Sequence, residues 1–124
     1  MRKRVVSVLA ASAAFISVMA TTTGASAEPN PPGCPKGYFC AYSGPNQTGT
    51  LVLKTAGNWT GGVAFQSAFN NGYALPGADH VDMTYDWQGL QETVCLHYNP
   101  GPGQYKGNAA PGNALVKVVW RGEC

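Results

Sequence analysis

Side chains able to do chemistry are sparse in this chain. It has four cysteines, two histidines and six carboxylates, with three tryptophans available for stacking. Cys34, Cys40, Cys95 and Cys124 contain no paired Cys-x-x-Cys, so zinc ligation is not expected and no metal or other cofactor is assigned. His80 stands among Asp79, Asp82 and Asp86, and His97 follows Cys95 by two positions. Neither belongs to a His-Glu-x-x-His pattern, and Gly-x-Ser-x-Gly and the P-loop pattern are absent. Isolated histidines of this kind read as hydrogen-bonded structural groups, so an enzyme is not expected. What remains is recognition. Tyr38, Trp59, Trp87 and Trp120 could stack on saccharide rings or anchor a protein contact. The acidic edge Asp79, His80, Asp82, Asp86 reads as the solvated face of a strand.

The N-terminal segment changes the count of charges. Arg2-Lys3-Arg4 is followed by the apolar stretch from Val5 to Ala20 and then by Ala25-Ser26-Ala27. This is the layout of a secretory signal peptide over residues 1–27, cut after Ala27. The apolar run is short for a membrane span, and no cysteine follows the cut directly, so no membrane anchor is expected after cleavage. Residues 28–124, 97 in all, keep five basic residues (Lys36, Lys54, Lys106, Lys117, Arg121) and all six acidic ones. No basic cluster survives that could neutralise a row of phosphates, which argues against a nucleic-acid partner.

A 97-residue exported domain gains limited stability from burial and often needs staples. Four cysteines allow three pairings. Cys34–Cys40 with Cys95–Cys124 is preferred, the first closing a tight loop around Pro35-Lys36-Gly37, the second tying the chain's second half to Cys124.

The elements that would position these residues are strands and turns. Residues 28–33 form a Pro-rich leader that is expected to be mobile. Tyr38 to Tyr42 alternates Tyr38/Cys40/Tyr42 against Phe39/Ala41. Leu51 to Leu53 is a short strand, and Gly57-Asn58 and Gly61-Gly62 punctuate a loop around Trp59. Val63 to Phe69 alternates as one strand, and Asn70-Asn71-Gly72 reads as a turn. The period of two is clearest from His80 to Trp87, with Val81, Met83, Tyr85 and Trp87 on one face. Thr93 to Tyr98 and Ala114 to Trp120 are further strands, the latter placing Ala114, Val116, Val118 and Trp120 together. Many short strands with close turn signals imply an all-β sandwich or barrel.

One unit occurs twice. Cys40-Ala41-Tyr42-Ser43-Gly44-Pro45-Asn46-Gln47-Thr48-Gly49 is echoed by Cys95 to Gly107, each running from Cys to Tyr, through a Gly/Pro/Asn turn, to Gly. Tyr42 to Gly49 resembles the Greek-key signature of the βγ-crystallin superfamily, with Gln47 in place of the second aromatic. Tyr98 to Gly107 resembles a second copy with two extra residues, and keeps Tyr105. The resemblance implies a disulfide-stapled, βγ-crystallin-like sandwich of two Greek-key motifs over 34–124, the first about 34–75 and the second about 78–124. Gly62 to Ser67, comparable to that superfamily's calcium-binding stretch, lacks carboxylates, so calcium is not expected.

Cys34-Pro35-Lys36-Gly37-Tyr38-Phe39-Cys40, the first Greek-key tract, Phe69-Asn70-Asn71-Gly72 and Cys95 to Gly101 resemble the peptidase-inhibitor family typified by the Streptomyces metalloproteinase inhibitor. This implies a secreted, extracellular, monomeric inhibitor of thermolysin-like metalloproteases that presents a rigid loop to the protease cleft. The resemblance places the reactive bond at Cys95-Leu96, with Leu96 filling an apolar pocket and the Cys95 disulfide holding the segment. Trp59 and Trp87 are candidates for the contact loop, and Trp87 to Glu92 could widen it. Val94, Leu96 and Tyr98 also alternate as one face of a strand, a pattern that would put Leu96 in the core. A cell-envelope or carbohydrate-binding module without inhibitory activity is the alternative.

Overall fold

The structure is a computed structural model that describes residues 26–124. The expected signal peptide lies outside the described residues except for Ser26 and Ala27. Eight strands form: β1 (Tyr38–Tyr42), β2 (Leu51–Thr55), β3 (Trp59–Ala64), β4 (Ser67–Asn71), β5 (His80–Trp87), β6 (Leu90–Leu96), β7 (Lys106–Asn108) and β8 (Ala114–Arg121). They make two four-stranded antiparallel sheets, ordered β2-β1-β4-β7 and β3-β8-β5-β6. Each sheet therefore holds three strands from one half of the chain and one from the other. β3 leaves the first half to pair with β8, and β7 leaves the second half to pair with β4.

One core fills the space between the sheets. Phe39, Ala41, Phe65 and Ala68 from the first sheet's side meet Val81, Met83, Leu96, Leu115 and Val118 from the second. Burying each of the larger side chains contributes about 1.5–3 kcal/mol. The opposite face of β1 and β4 is buried as well. Cys40, Tyr42 and Phe69 are at most 1% exposed, although they alternate with the inward residues.

What covers that outer face is the leader, which is held and not mobile. The Glu28 backbone N–H donates to Asn99 Oδ1 at 3.0 Å, and Asn99 Nδ2 donates to the Glu28 carbonyl at 2.9 Å. Tyr42 donates its hydroxyl to the Pro32 carbonyl, and Asn71 Nδ2 reaches both Asn30 Oδ1 and the Cys34 carbonyl. Tyr105 packs edge-on against Phe69 and donates its hydroxyl to the Glu28 carboxylate. The prolines suit the arrangement: Pro29, Pro31 and Pro32 bring no backbone N–H that the outer face of the sheet would have to satisfy.

Four further expectations are corrected. Trp59 lies in strand β3, because Gly61-Gly62 sits at a register shift between Thr60 and Val63 and bends the strand without ending it. The expected strand from Val63 to Phe69 is two strands, broken at Phe65 and Gln66. Asn70 and Asn71 end β4 fully buried instead of forming a turn, since their amides find carbonyl partners inside. In β8 a bulge opposite Thr84 and Tyr85 skips Val116, so Leu115 and Val118 both face the core despite their odd spacing.

The turn of the repeated unit behaves as its glycine requires. Pro45–Gln47 forms one 3-10 turn, with Asn46 and Gln47 at positive φ. Buried Ser67 pins this turn, accepting from Gln47 N–H and donating to the Gly44 carbonyl. Gly49 has φ of +75°, and a Cβ there would come within 3.0 Å of the Gly44 nitrogen.

Candidate functional site

The second sheet carries the residues of interest, because β6 is its edge. One side of β6 pairs with β5 along seven residues, and the other side has no strand partner among the described residues. The inward face of this pair changes character along its length. At one end Val81 and Met83 lie in the core, opposite Leu96 and Val94. At the other end Tyr85 stands opposite Glu92, and Trp87 opposite Leu90. There the core has run out, leaving Trp87 44% and Leu90 70% exposed.

The hairpin tip is Gln88-Gly89, both at positive φ, the geometry of a two-residue turn that matches the twist of its strands. Asp86 Oδ1 accepts the Gly89 N–H at 2.9 Å and closes the tip. Tyr85 packs edge-on against Phe65, with ring centroids 5.9 Å apart. Burial raises the Tyr85 pKa, and a hydrogen bond to Glu92 adds to the effect. The far wall is the loop leading into β8. Gly112, at φ +94°, lies against the Trp87 indole, so that a Cβ there would be 3.6 Å from the indole nitrogen. Between hairpin and loop is a cleft of about 430 Å³, with Asn108, Ala109 and Asn113 on the loop side.

Cys95 and Leu96 lie at the opposite end of β6. Leu96 is completely buried and packs in the core, opposite Val81. Its carbonyl accepts a 3.2 Å hydrogen bond from Asn70 Nδ2, which also donates to the Asp79 carbonyl. The Leu96 side chain is thus not presented at the surface. Cys95 points to the other face and is bridged to Cys124, while Cys34 is bridged to Cys40. All four cysteines are consumed in this way. Such bridges form and persist in oxidising surroundings, which fits an extracellular protein.

Trp59 and Trp87 are not equivalent. Trp59 packs against the core and folds over Gly61, whose position cannot take a Cβ without meeting the indole. Trp120 also packs on the core and donates its indole N–H to the Gly57 carbonyl. Tyr38 lies on the outer side of the first sheet, beneath the Lys54 ammonium. Of these four aromatics, Trp87 alone is exposed, so they do not form a stacking row.

The histidines are tied into structure. His80 is 1% exposed, contrary to its place on the polar face of the sequence pattern. Its Nδ1 lies 2.6 Å from Asp79 Oδ1, and Asp79 Oδ2 accepts the Leu75 N–H. His97 stacks edge-on against His80 and binds the Tyr98 carbonyl through Nδ1 at 2.6 Å. Among the described residues no group of three His, Cys, Asp or Glu side chains is arranged to hold a metal ion. No helix of the described residues is long and apolar enough to cross a membrane.

Sequence reasoning missed the Asn70 brace and the Asn113 wall. Asn70 and Asn71 read as a turn on composition alone, and only their burial shows otherwise. The comparisons with known proteins follow this geometry. Residues 27–75 match the family model of peptidase inhibitor family I36, in support of the resemblance carried by the Cys34 to Cys40 and Tyr42 to Gly49 motifs. No curated protein and no solved structure was found to match the chain.

Proposed function

From the match of residues 27–75 to peptidase inhibitor family I36, we propose that this chain is a secreted inhibitor of thermolysin-like metalloproteases, acting as a monomer outside the cell. The exchange of β3 and β7 between the sheets supports the reading as a pair of Greek keys. The observation that carries the mechanism is the β5–β6 hairpin. It is stiff, because every residue from Val81 to Trp87 is paired, and it ends in two exposed apolar side chains. A stiff presenting segment loses little conformational freedom on docking, so more of the contact energy appears as affinity.

Thermolysin-like clefts accept a bulky apolar side chain just after the bond they would cut. Leu90 is the side chain available for that pocket, and Trp87 the neighbouring anchor. The open edge of β6 supports docking of an extended protease segment by strand addition. In this reading Cys95 and Leu96 act from behind. The Cys95–Cys124 bridge and the buried Leu96 hold β6 in place, with Asn70 bracing the Leu96 carbonyl.

The test is titration of thermolysin with the oxidised protein and two variants. Leu90→Asp is expected to abolish inhibition and leave the unfolding temperature unchanged, since Leu90 is mostly exposed. Leu96→Asp is expected to unfold the domain, because it buries an unpaired charge. Absence of inhibition by the native protein, across thermolysin and a panel of secreted metalloproteases, would overturn the reading.

A further inference from the structure

The cleft between the β5–β6 hairpin and the loop before β8 sets a carboxylate and an unpartnered amide oxygen beside two aromatic rings. Glu92 supplies the carboxylate, and it forms no ion pair among the described residues. Asn113 is 6% exposed, and its Oδ1 is buried without any hydrogen-bond partner, since its Nδ2 is spent on the Ala110 carbonyl. A buried acceptor left unpaired costs on the order of 1–3 kcal/mol, so a donor arriving there would be favoured. Trp87 and Tyr85 line the same space, and no lysine or arginine among the described residues does. Aromatic faces attract a cation, tryptophan most strongly.

Carboxylate, orphan carbonyl oxygen and aromatic face are complementary to one kind of group. We propose that this cleft takes a positively charged side chain, an arginine guanidinium, from the protein partner that the hairpin docks on. The inference rests on the inhibitor reading only for the source of that side chain. The guanidinium's planar fork can donate to Glu92 and stack on an indole at once, and it carries donors to spare for Asn113 Oδ1.

The experiment is a titration of the oxidised protein with acetyl-arginine-amide, followed by the NMR signals of the Trp87 indole N–H and the Asn113 side-chain amide. The neutral isostere acetyl-citrulline-amide and a methyl glucoside are run in parallel. Arginine is expected to saturate both signals with a dissociation constant in the millimolar range, typical of so small a contact. Citrulline should bind about tenfold more weakly or not at all, given the loss of the charge-assisted bonds. Glu92→Gln should weaken arginine binding by a similar factor, with Trp87→Leu as a second, independent loss. Equal binding of citrulline, saturation by the glucoside in preference to arginine, or an unmoved Asn113 signal would overturn the proposal. Protease inhibition is measured on the same samples. Arginine binding without inhibition would leave the cleft standing and remove the inhibitor reading, and inhibition without arginine binding would do the reverse.

Discussion

Two residues illustrate how much a single side chain can carry here. Asn70 is buried in β4 and donates across the core to the carbonyls of Asp79 and Leu96, while its Oδ1 accepts the Gly72 N–H. Asn70→Ala removes the partner of the Asp79 and Leu96 carbonyls and of the Gly72 N–H at once. The expected cost is about 2–3 kcal/mol, read from chemical denaturation, and the loss should extend to protease inhibition if β6 must be rigid. Glu28 is the second case. Burial alone would raise its carboxyl pKa, but hydrogen bonds from Lys106 and Tyr105, with the Lys106 charge, outweigh that and lower it. The same contact pushes the Tyr105 phenol up to about 12, chiefly through its hydrogen bond to Glu28. Because the Tyr105 value is raised, the tie is at full strength below pH 10 and is lost as pH rises through about 12. Because the Glu28 value is lowered, the tie is also lost as pH falls through that lowered value. Ultraviolet titration of tyrosinate should show one phenol ionising near pH 12, which Glu28→Gln returns toward 10.

At the scale of elements, the two disulfides fasten different things. Cys34–Cys40 closes a short loop of sequence separation 6 on the outer face of the first sheet. Cys95–Cys124 spans 29 residues and anchors the end of β6. On the loop-entropy account the longer bridge stabilises by about 3–4 kcal/mol and the shorter by about 2 kcal/mol. Replacing Cys95 and Cys124 together with Ala should therefore lower the denaturation midpoint more than replacing Cys34 and Cys40. Calorimetry or urea unfolding of the two double variants checks the order. Elements also show where sequence was legible. His80 to Trp87 has an unbroken period of two, so its inward set was readable, and two residues depart from it: His80, buried under His97 and Asp79, and Trp87, exposed past the end of the core. The strand from Ala114 was readable in extent but not in facing, because the bulge at Val116, seen only in its pairing with β5, leaves no local signal. Trp59 was misread for a related reason: glycines that usually end a strand here bend one. The leader was misread because prolines signal freedom from regular structure, which is different from freedom to move. Of Trp59 and Trp87, the two candidates for a contact loop, Trp87 is the exposed one. Leu96 shows the limit, since an apolar residue in an alternating strand looks the same whether it faces a core or a partner.

The whole molecule is defined by the trade of one strand between halves. Among the described residues β3 has its only ladder with β8, and β7 its only ladder with β4. Neither half can complete a sheet alone, and the core cluster draws on both. The domain is expected to unfold in one step, with near- and far-ultraviolet signals lost together. A fragment of residues 28–78 is expected to remain unfolded, seen as a collapsed range of amide proton shifts, and to regain order only when mixed with the complementary piece. An independently folded fragment would show that the sheets are separable. The two halves share a motif, but stability belongs to the pair.

The same trade fixes when the chain can fold. β8 is the central partner in the second sheet, flanked by β3 and β5, and it ends at Arg121. On a ribosome, β3 must wait some fifty residues of further synthesis for its neighbour, and the bridge from Cys95 waits for Cys124. Nearly the whole polypeptide has to be released before the second sheet can close. Such a nascent chain stays extended and pliable late into its synthesis, the form in which a polypeptide can be threaded end-first through a narrow channel.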